Sequence, residues 1–187
     1  LEPLERVAEQ AAVRTLRQLG SRPVPTCQVP VVFDTDAARS LLGSFIGCTL
    51  GSAIWRRSSY LAEREGSVVA SPLVTIVDDP LIPRGPGSRA FDGEGLASRR
   101  NVIVQDGVLQ TFLLDSYCGR KLDKPSTASA GRSGGGVGPS TSNLLLQPGT
   151  QTPEEVITST GRGLFVTEMM GFGFNAVTGD FSRGAAG

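Results

Sequence analysis

A β-hairpin pattern in the middle of the chain places the tightest constraint on its fold. Apolar residues cluster over 101–104 and again over 108–114, and Gln105-Asp106-Gly107 separates the two runs. Asp-Gly is a preferred pair in type I′ turns, whose twist matches that of the flanking antiparallel strands. The sequence therefore predicts a hairpin over 101–114, around which the remaining elements must pack.

Helical and strand patterns flank this hairpin without regular β-α-β alternation. Apolar spacing and capping residues predict helices over 1–19, 35–49, 116–122 and 153–160. Short β-rich runs predict further strands over 29–33, 73–77 and 164–168. This order predicts an α+β class, with a mixed or antiparallel β-sheet and flanking helices.

Two regional expectations follow from the same patterns. The segment 126–142 reads STASAGRSGGGVGPSTS, and because it offers little to bury we expect a mobile loop or lid there. The change from helical to β-rich patterning predicts a helical part over 1–66 and a β-rich C-terminal domain over 67–187. The first residue is not Met and the chain stops abruptly, so we interpret it as a piece of a longer protein with a truncated C-terminal domain.

Histidine is absent from all 187 residues, which excludes several kinds of active site. Ser-His and Cys-His nucleophile pairs need the imidazole as a base. A Ser-Lys dyad stays open with Lys121 or Lys124, but both lysines lie in a polar stretch that is typical of a solvated surface. Catalysis by this chain alone therefore has little support.

Composition also limits which cellular compartment and which classes of partner we expect. The cysteines number three and lack short spacings, which argues against a disulfide framework and favours a reducing, cytoplasmic compartment. Eighteen Lys/Arg balance eighteen Asp/Glu, so no bulk charge attracts nucleic acid. No apolar run approaches the ~18 residues of a membrane span. We therefore expect neither a nucleic-acid nor a membrane partner.

Acidic residues on turns are the remaining candidates for chemistry. Asp92-Gly93-Glu94 places two carboxylates on a Gly-rich turn, and Asp180 lies in a second turn-like stretch that ends at Arg183. Carboxylate oxygens suit Mg²⁺ or Ca²⁺, although the twelve-residue calcium loop is absent. Turn formation and capping explain the same acids more simply.

From residue 29 to residue 187 the chain resembles the PmbA (TldE) branch of the TldD/PmbA family of peptide-processing proteins. Any one of the shared motifs is weak, but they occur in order and without a large gap. They are PVVF at 30–33, LLGSFIGCTLGSAIWRRSS at 41–59, FDGEG at 91–95, DGVL at 106–109, LDSY at 114–117 with RKL at 120–122, ST at 126–127, VTEMMG at 166–171 and TGDFSRGAAG at 178–187.

This resemblance implies a cytosolic, heterodimeric zinc metallopeptidase that cuts unstructured peptides. The catalytic branch carries its zinc on a His-Glu-x-x-x-His helix. Here the two ligand positions fall on Gly43 and Cys48, and the catalytic glutamate position falls on Ser44. The resemblance therefore implies that this chain has no catalytic or metal-binding residues, and that a TldD-like catalytic subunit holds the zinc.

The same resemblance implies that this branch shapes a peptide-binding cavity. We expect Asp92, Glu94, Asp180 and Arg183 to line it, because they lie in the shared motifs. The β-rich runs 73–77 and 164–168 are candidates for an edge to which a peptide strand adds, with sheet interior as the default for both. The alternative function is a stand-alone adaptor or regulator that binds peptides or proteins without a peptidase partner.

Overall fold

The computed structural model describes residues 3–187 and confirms the α+β class. Its helices are Leu4–Arg17 (α1), Thr35–Gly47 (α2), Gly51–Trp55 (α3), Ser116–Leu122 (α4) and Pro153–Thr160 (α5). Its strands are Val31–Phe33 (β1), Ile76–Asp78 (β2), Asn101–Gln105 (β3), Val108–Leu109 (β4), Ala130–Ser133 (β5), Gly136–Pro139 (β6), Leu144–Leu146 (β7), Leu164–Val166 (β8), Glu168–Met170 (β9) and Gly184–Ala186 (β10). No helix over this range is both long and apolar enough to cross a membrane.

The chain forms two compact units. Unit 1 contains the chain up to Leu41 together with Gln151–Gly173 and Ser182–Gly187. Unit 2 contains Leu42–Thr150 and Phe174–Phe181. Both units draw on segments from each side of the predicted boundary between residues 66 and 67, and that boundary stays a prediction.

A four-stranded antiparallel sheet forms the centre of unit 2. Its strand order is β4-β3-β2-β7, so β2 lies between two neighbours. Ile103, Val104 and Leu109 are fully buried on this sheet and belong to the main apolar cluster. Burying each such side chain contributes about 1.5 to 3 kcal/mol to the stability of unit 2.

The predicted hairpin is confirmed as β3 and β4. Asp106 and Gly107 both have positive φ, 48° and 80°, as a type I′ turn requires. The second strand is shorter than predicted, because pairing ends at Leu109. The strand predicted over 73–77 is also displaced, since Leu73 is 91% exposed and β2 begins at Ile76.

The expectation of a mobile loop over 126–142 is wrong. Most of this segment forms a second antiparallel hairpin, β5–β6, with Ser133 paired to Gly136. Gly134 and Gly135 occupy the turn with φ of 58° and 91°. Ala130, at the start of β5, is fully buried. The pattern shows no apolar alternation because this hairpin is held chiefly by hydrogen bonds to another turn, which are described below.

Unit 1 contains the remaining strands and two confirmed helices. β1 pairs in parallel with β8, while β9 pairs in antiparallel fashion with β10. The predicted capping box of α5 is present, with Thr152 Oγ1 accepting from the Glu155 amide and Glu155 Oε2 accepting from the Thr152 amide. Helix α1 ends at Arg17, and Leu1 and Glu2, at the start of the predicted helix, lie outside the described residues.

Candidate functional site

Helix α2 carries the first two of the three positions where the resemblance places zinc chemistry. The helix follows Asp34, whose Oδ1 accepts from the Thr35 amide at 2.7 Å. Gly43 is exposed, and beyond its chain neighbours and the adjacent backbone of its own helix, no described atom lies within 4 Å of where its Cβ would be. Ser44, the next residue, is half-buried. Neither position supplies a nitrogen or sulfur ligand.

Cys48, the third position, is sealed in the core of unit 2 just beyond the end of α2. Its side chain is 1% exposed, and its Sγ contacts the Ala176 carbonyl oxygen at 4.0 Å. Ser59 Oγ donates to the Cys48 carbonyl oxygen at 2.7 Å, which fixes the backbone there. Burial raises the pKa of the Cys48 thiol, so the thiol stays neutral at physiological pH.

These three positions do not fit a zinc ion. Zinc prefers thiolate, imidazole and carboxylate ligands in a tetrahedral set. Gly43 has no side chain, and a neutral buried thiol is a poor ligand. Across residues 3–187, no group of three His, Cys, Asp or Glu side chains is placed to hold a metal ion. That this chain binds no metal remains a prediction.

Asp92 supports the β5–β6 hairpin from a neighbouring turn. The Asp92 side chain is buried, and its Oδ1 accepts from the amides of Glu94 at 2.9 Å and Leu96 at 3.0 Å. Its Oδ2 accepts from the Ala130 amide at 3.1 Å, and the Gly93 amide donates back to the Ala130 carbonyl oxygen at 2.8 Å. This carboxylate therefore joins the FDGEG turn to strand β5.

Glu94 has a different partner. Its side chain is on the surface, and Oε2 accepts from the Ser116 amide at 2.8 Å, at the start of α4. The two carboxylates therefore do not converge on a common cation. The simpler interpretation of this pair, as turn-forming and capping acids, agrees with these contacts.

Asp180 lies in unit 2 on the short segment Phe174–Phe181. Its Oδ2 accepts from Thr178 Oγ1 at 2.6 Å. The same segment presents the Ala176 carbonyl oxygen, which accepts from the Tyr60 amide at 2.8 Å and contacts Cys48. The structure thus brings the segment that carries Asp180 next to the third motif position.

Arg183 belongs to unit 1. Its Nε donates to the Gly171 carbonyl oxygen at 2.8 Å, and its Nη1 donates to Ser40 Oγ at 2.9 Å. These bonds close the Gly-rich segment that precedes β10. The expected role of Asp92, Glu94, Asp180 and Arg183 in a peptide cavity stays a prediction.

An open cleft of about 540 Å³ lies beside the FDGEG turn in unit 2. Asp92 and Glu94 line it, together with Arg89, Phe91 and Arg132. The predicted cavity residues did not include these last three, although Phe91 lies in the shared FDGEG motif. Phe91 is 65% exposed, which is unusual for a large aromatic side chain. Arg132 is the only charged residue in the Gly/Ser-rich segment 126–142, which offers donors to an anion but matches no known phosphate-binding motif.

The two candidate peptide-binding edges differ in the structure. Of the run 73–77, only Ile76 and Val77 lie in strand β2, which pairs on both sides, so this part is sheet interior and offers no free edge. Strand β8, in the other candidate run, is one of a two-stranded parallel pair with β1. Its role in binding stays a prediction.

Comparison with known families gives a match over most of the chain. The profile of the PmbA/TldA metallopeptidase C-terminal domain matches residues 26–187. The Metalloprotease PmbA of Escherichia coli O157:H7 is 37% identical over the whole chain, which covers 40% of that protein. In Haemophilus influenzae, a PmbA homolog is 36% identical over 97% of the chain and a TldD homolog is 29% identical over 93%; the chain covers 39% and 37% of these proteins.

Solved structures agree with this match. A Thermotoga maritima protein, described as a candidate modulator of a DNA gyrase, superposes with a TM-score of 0.88 at 32% identity, covering 99% of this chain and 42% of that one. TldE from Thermococcus kodakarensis superposes with a TM-score of 0.81 at 25% identity, covering 90% of this chain and 39% of that one. The chain thus spans about two fifths of the length of these relatives.

Proposed function

Because this chain belongs to the PmbA/TldD metallopeptidase family, we propose that it is part of a non-catalytic, PmbA-like subunit of a zinc peptidase complex. In this proposal a TldD-like catalytic subunit holds the zinc, and the complex degrades or processes unstructured peptides in the cytoplasm. The subunit described here is inactive alone and contributes the walls of the peptide cavity.

The chemistry of the three motif positions carries this proposal. A hydrolytic zinc site needs three protein ligands and a residue that handles the proton of the metal-bound water. Gly43 and Ser44 supply neither, and Cys48 is enclosed with its thiol neutral. The rest of the chain cannot supply histidine, because it has none.

The similarity values support the PmbA branch over the TldD branch. Of the two Haemophilus influenzae relatives, the PmbA homolog is more similar to this chain than the TldD homolog. The existence of two related proteins in one organism also supports a pairing between a supporting and a catalytic subunit. The partner and the peptide substrate are inferred on this basis.

The free cysteines support the proposed cytoplasmic location. Cys27, Cys48 and Cys118 are all free thiols, and Cys27 is exposed. Exposed free thiols are typical of proteins kept in a reducing compartment.

A reconstitution experiment tests the proposal. Full-length protein is assayed for cleavage of a fluorogenic unstructured peptide, alone and mixed with a TldD-like protein, with zinc measured in each sample. We expect cleavage only in the mixture, with zinc following the TldD-like chain. Cleavage by this protein alone, with stoichiometric zinc, would contradict the proposal.

The adaptor alternative makes a different prediction for the same samples. The description of the Thermotoga maritima relative as a gyrase modulator favours a regulatory role without peptidase activity. Under this alternative the two proteins do not associate, and neither sample cleaves peptide. Size-exclusion chromatography of the mixture separates the two hypotheses before any activity is measured.

A further inference from the structure

Two arginine side chains, Arg89 and Arg132, line two neighbouring openings beside strand β5. Besides the cleft beside the FDGEG turn, a second opening of about 520 Å³ borders the β5–β6 hairpin. Arg89, Gly131 and Arg132 line both openings, and Ser133 and Ser140 line the second. We refer to this second opening as the arginine cleft. Both openings lie within unit 2.

Arg89 has one buried side-chain donor atom, Nε, that has no hydrogen-bond partner among the described residues. The nearby carboxylate of Asp78 is itself buried and accepts from the Ser142 amide at 2.7 Å. A buried donor without a partner costs about 1 to 3 kcal/mol, so Arg89 lies beside the cleft at a cost to stability.

Arg132 is held in place with most of its donors unused. Its Nε donates to the Gly93 carbonyl oxygen at 2.7 Å, which fixes the side chain beside the FDGEG turn. Within residues 3–187, neither of its Nη atoms donates a hydrogen bond and no carboxylate forms an ion pair with it. A pre-positioned guanidinium loses less side-chain entropy on binding a ligand.

The charges around the cleft favour an anion. Its lining includes the two arginines and no acidic residue. The acids of the neighbouring opening, Asp92 and Glu94, are already engaged by backbone amides. The hydroxyl groups of Ser133 and Ser140 add further possible donors.

We propose that Arg89 and Arg132 form a carboxylate-binding subsite that receives an acidic side chain or the C-terminus of a bound peptide. The planar guanidinium group matches the two oxygens of a carboxylate and can bind them in bidentate fashion. This subsite rests on the proposed peptide-binding function, and it predicts that the complex prefers peptides carrying a carboxylate at one position.

Matched peptides test the subsite in the full-length protein bound to its TldD-like partner. A fluorescently labelled Gly/Ser-rich peptide is prepared with either Glu or Gln at one position, and each version with a free or an amidated C-terminus. Fluorescence anisotropy gives the Kd of each. We expect the peptides with a carboxylate in the preferred place to bind about tenfold more tightly than the neutral peptide. If replacing Glu by Gln abolishes the preference, the acidic side chain is its source. If amidation abolishes it, the C-terminus is its source.

Variants of the two arginines test whether these side chains cause the preference for a carboxylate. R89Q and R132Q should each remove most of it, so that the peptides with and without a carboxylate bind with nearly the same Kd. R120Q is the matched control, because Arg120 is an exposed arginine on α4 outside the cleft. If R89Q fails to fold because it removes the positive charge near Asp78, R89K keeps that charge and should reduce the preference to about threefold. Thermal unfolding reports which variants are folded.

The possible failures are distinguishable. Equal binding of all four peptides, or a preference that survives R89Q and R132Q, would overturn the subsite while the proposed peptide-binding function stands. If no peptide binds to the complex, both the subsite and the proposed function are wrong.

Discussion

The two hairpins of unit 2 share a turn geometry but are held in place by different forces. In β3–β4 the turn is Asp106-Gly107, and in β5–β6 it is Gly134-Gly135; all four residues have positive φ. The first hairpin buries fully enclosed apolar side chains, whereas Val137 of the second is 42% exposed. The first is therefore held by the hydrophobic effect, and the second by hydrogen bonds from the FDGEG turn.

We infer that this difference separates the residues that stabilise the fold from those of the proposed binding site. The apolar hairpin forms the core, where substitutions act on folding. The polar hairpin presents Gly131 and Arg132 to open clefts, where substitutions can act on binding. A strand that needs no apolar face is better suited to line a polar binding surface.

The largest effect is expected from truncating the apolar hairpin. Ile103→Ala should lower the free energy of unfolding of the full-length protein by about 2 to 5 kcal/mol, because Ile103 is fully buried. Val137→Ala in the polar hairpin is the matched control and should cost less than about 1 kcal/mol. Urea denaturation measures both. Equal losses would show that the second hairpin also depends on apolar burial.

The two turns should respond differently to a methyl group. At Gly107, a Cβ would lie 2.5 Å from the Ala70 carbonyl oxygen, in addition to the positive φ. At Gly135 the φ is also positive, but among the described residues no atom beyond its two chain neighbours would lie within 4 Å of a Cβ. We expect Gly107→Ala to cost about 2 to 3 kcal/mol and Gly135→Ala about 1 kcal/mol, by the same denaturation assay. A larger loss at Gly135 would contradict this ranking.

Loss of the carboxylate that holds the polar hairpin should loosen it locally. In Asp92→Asn an amide group replaces one carboxylate oxygen, so one of the amide donors of Glu94, Leu96 or Ala130 loses its acceptor. We expect a loss of about 1 to 2 kcal/mol and faster hydrogen exchange across β5 and β6, with β3 unaffected. Glu94→Gln is the control, because Glu94 makes its bond to α4 instead. Unchanged exchange in β5 would mean that Asp92 does not support the hairpin.

The effect that is smallest at neutral pH is a decline of stability that begins only at high pH. Burial first, and then the hydrogen bond and charge of Asp115, raise the pKa of the Cys118 thiol from 9.0 to about 12. Above about pH 9 the folded state keeps this proton while the unfolded chain loses it. The contribution of the Cys118 thiol to the free energy of unfolding is therefore complete below about pH 9 and is lost as the pH rises to about 12. Cys118→Ala should show a shallower decline of unfolding free energy over this window. An identical slope in both proteins would contradict it.

The comparison of the hairpins also shows where the sequence predicts structure and where it does not. The β3–β4 hairpin, helix α4 and the capping box of α5 are encoded by nearby residues, and each was predicted. The β5–β6 hairpin was predicted as a loop, because its fixed position depends on Asp92, which lies 38 residues before Ala130.

The same distinction applies to the candidate site. The residue types at Gly43, Ser44 and Cys48, together with the absence of histidine, were sufficient to predict a chain without zinc ligands of its own. The arginine cleft could not be predicted, since Arg89 and Arg132 are 43 positions apart and only the packing of the FDGEG turn on β5 brings them to one surface.

The sequence by itself determined the α+β class, the central hairpin, the family resemblance and the lack of histidine chemistry, because periodicity, turn residues and side-chain identity are local properties. Only the tertiary structure decided that Cys48 is enclosed, that Asp92 supports a second hairpin, and that two arginines share a cleft. These features depend on burial and on hydrogen bonds between distant segments, and no local pattern encodes them.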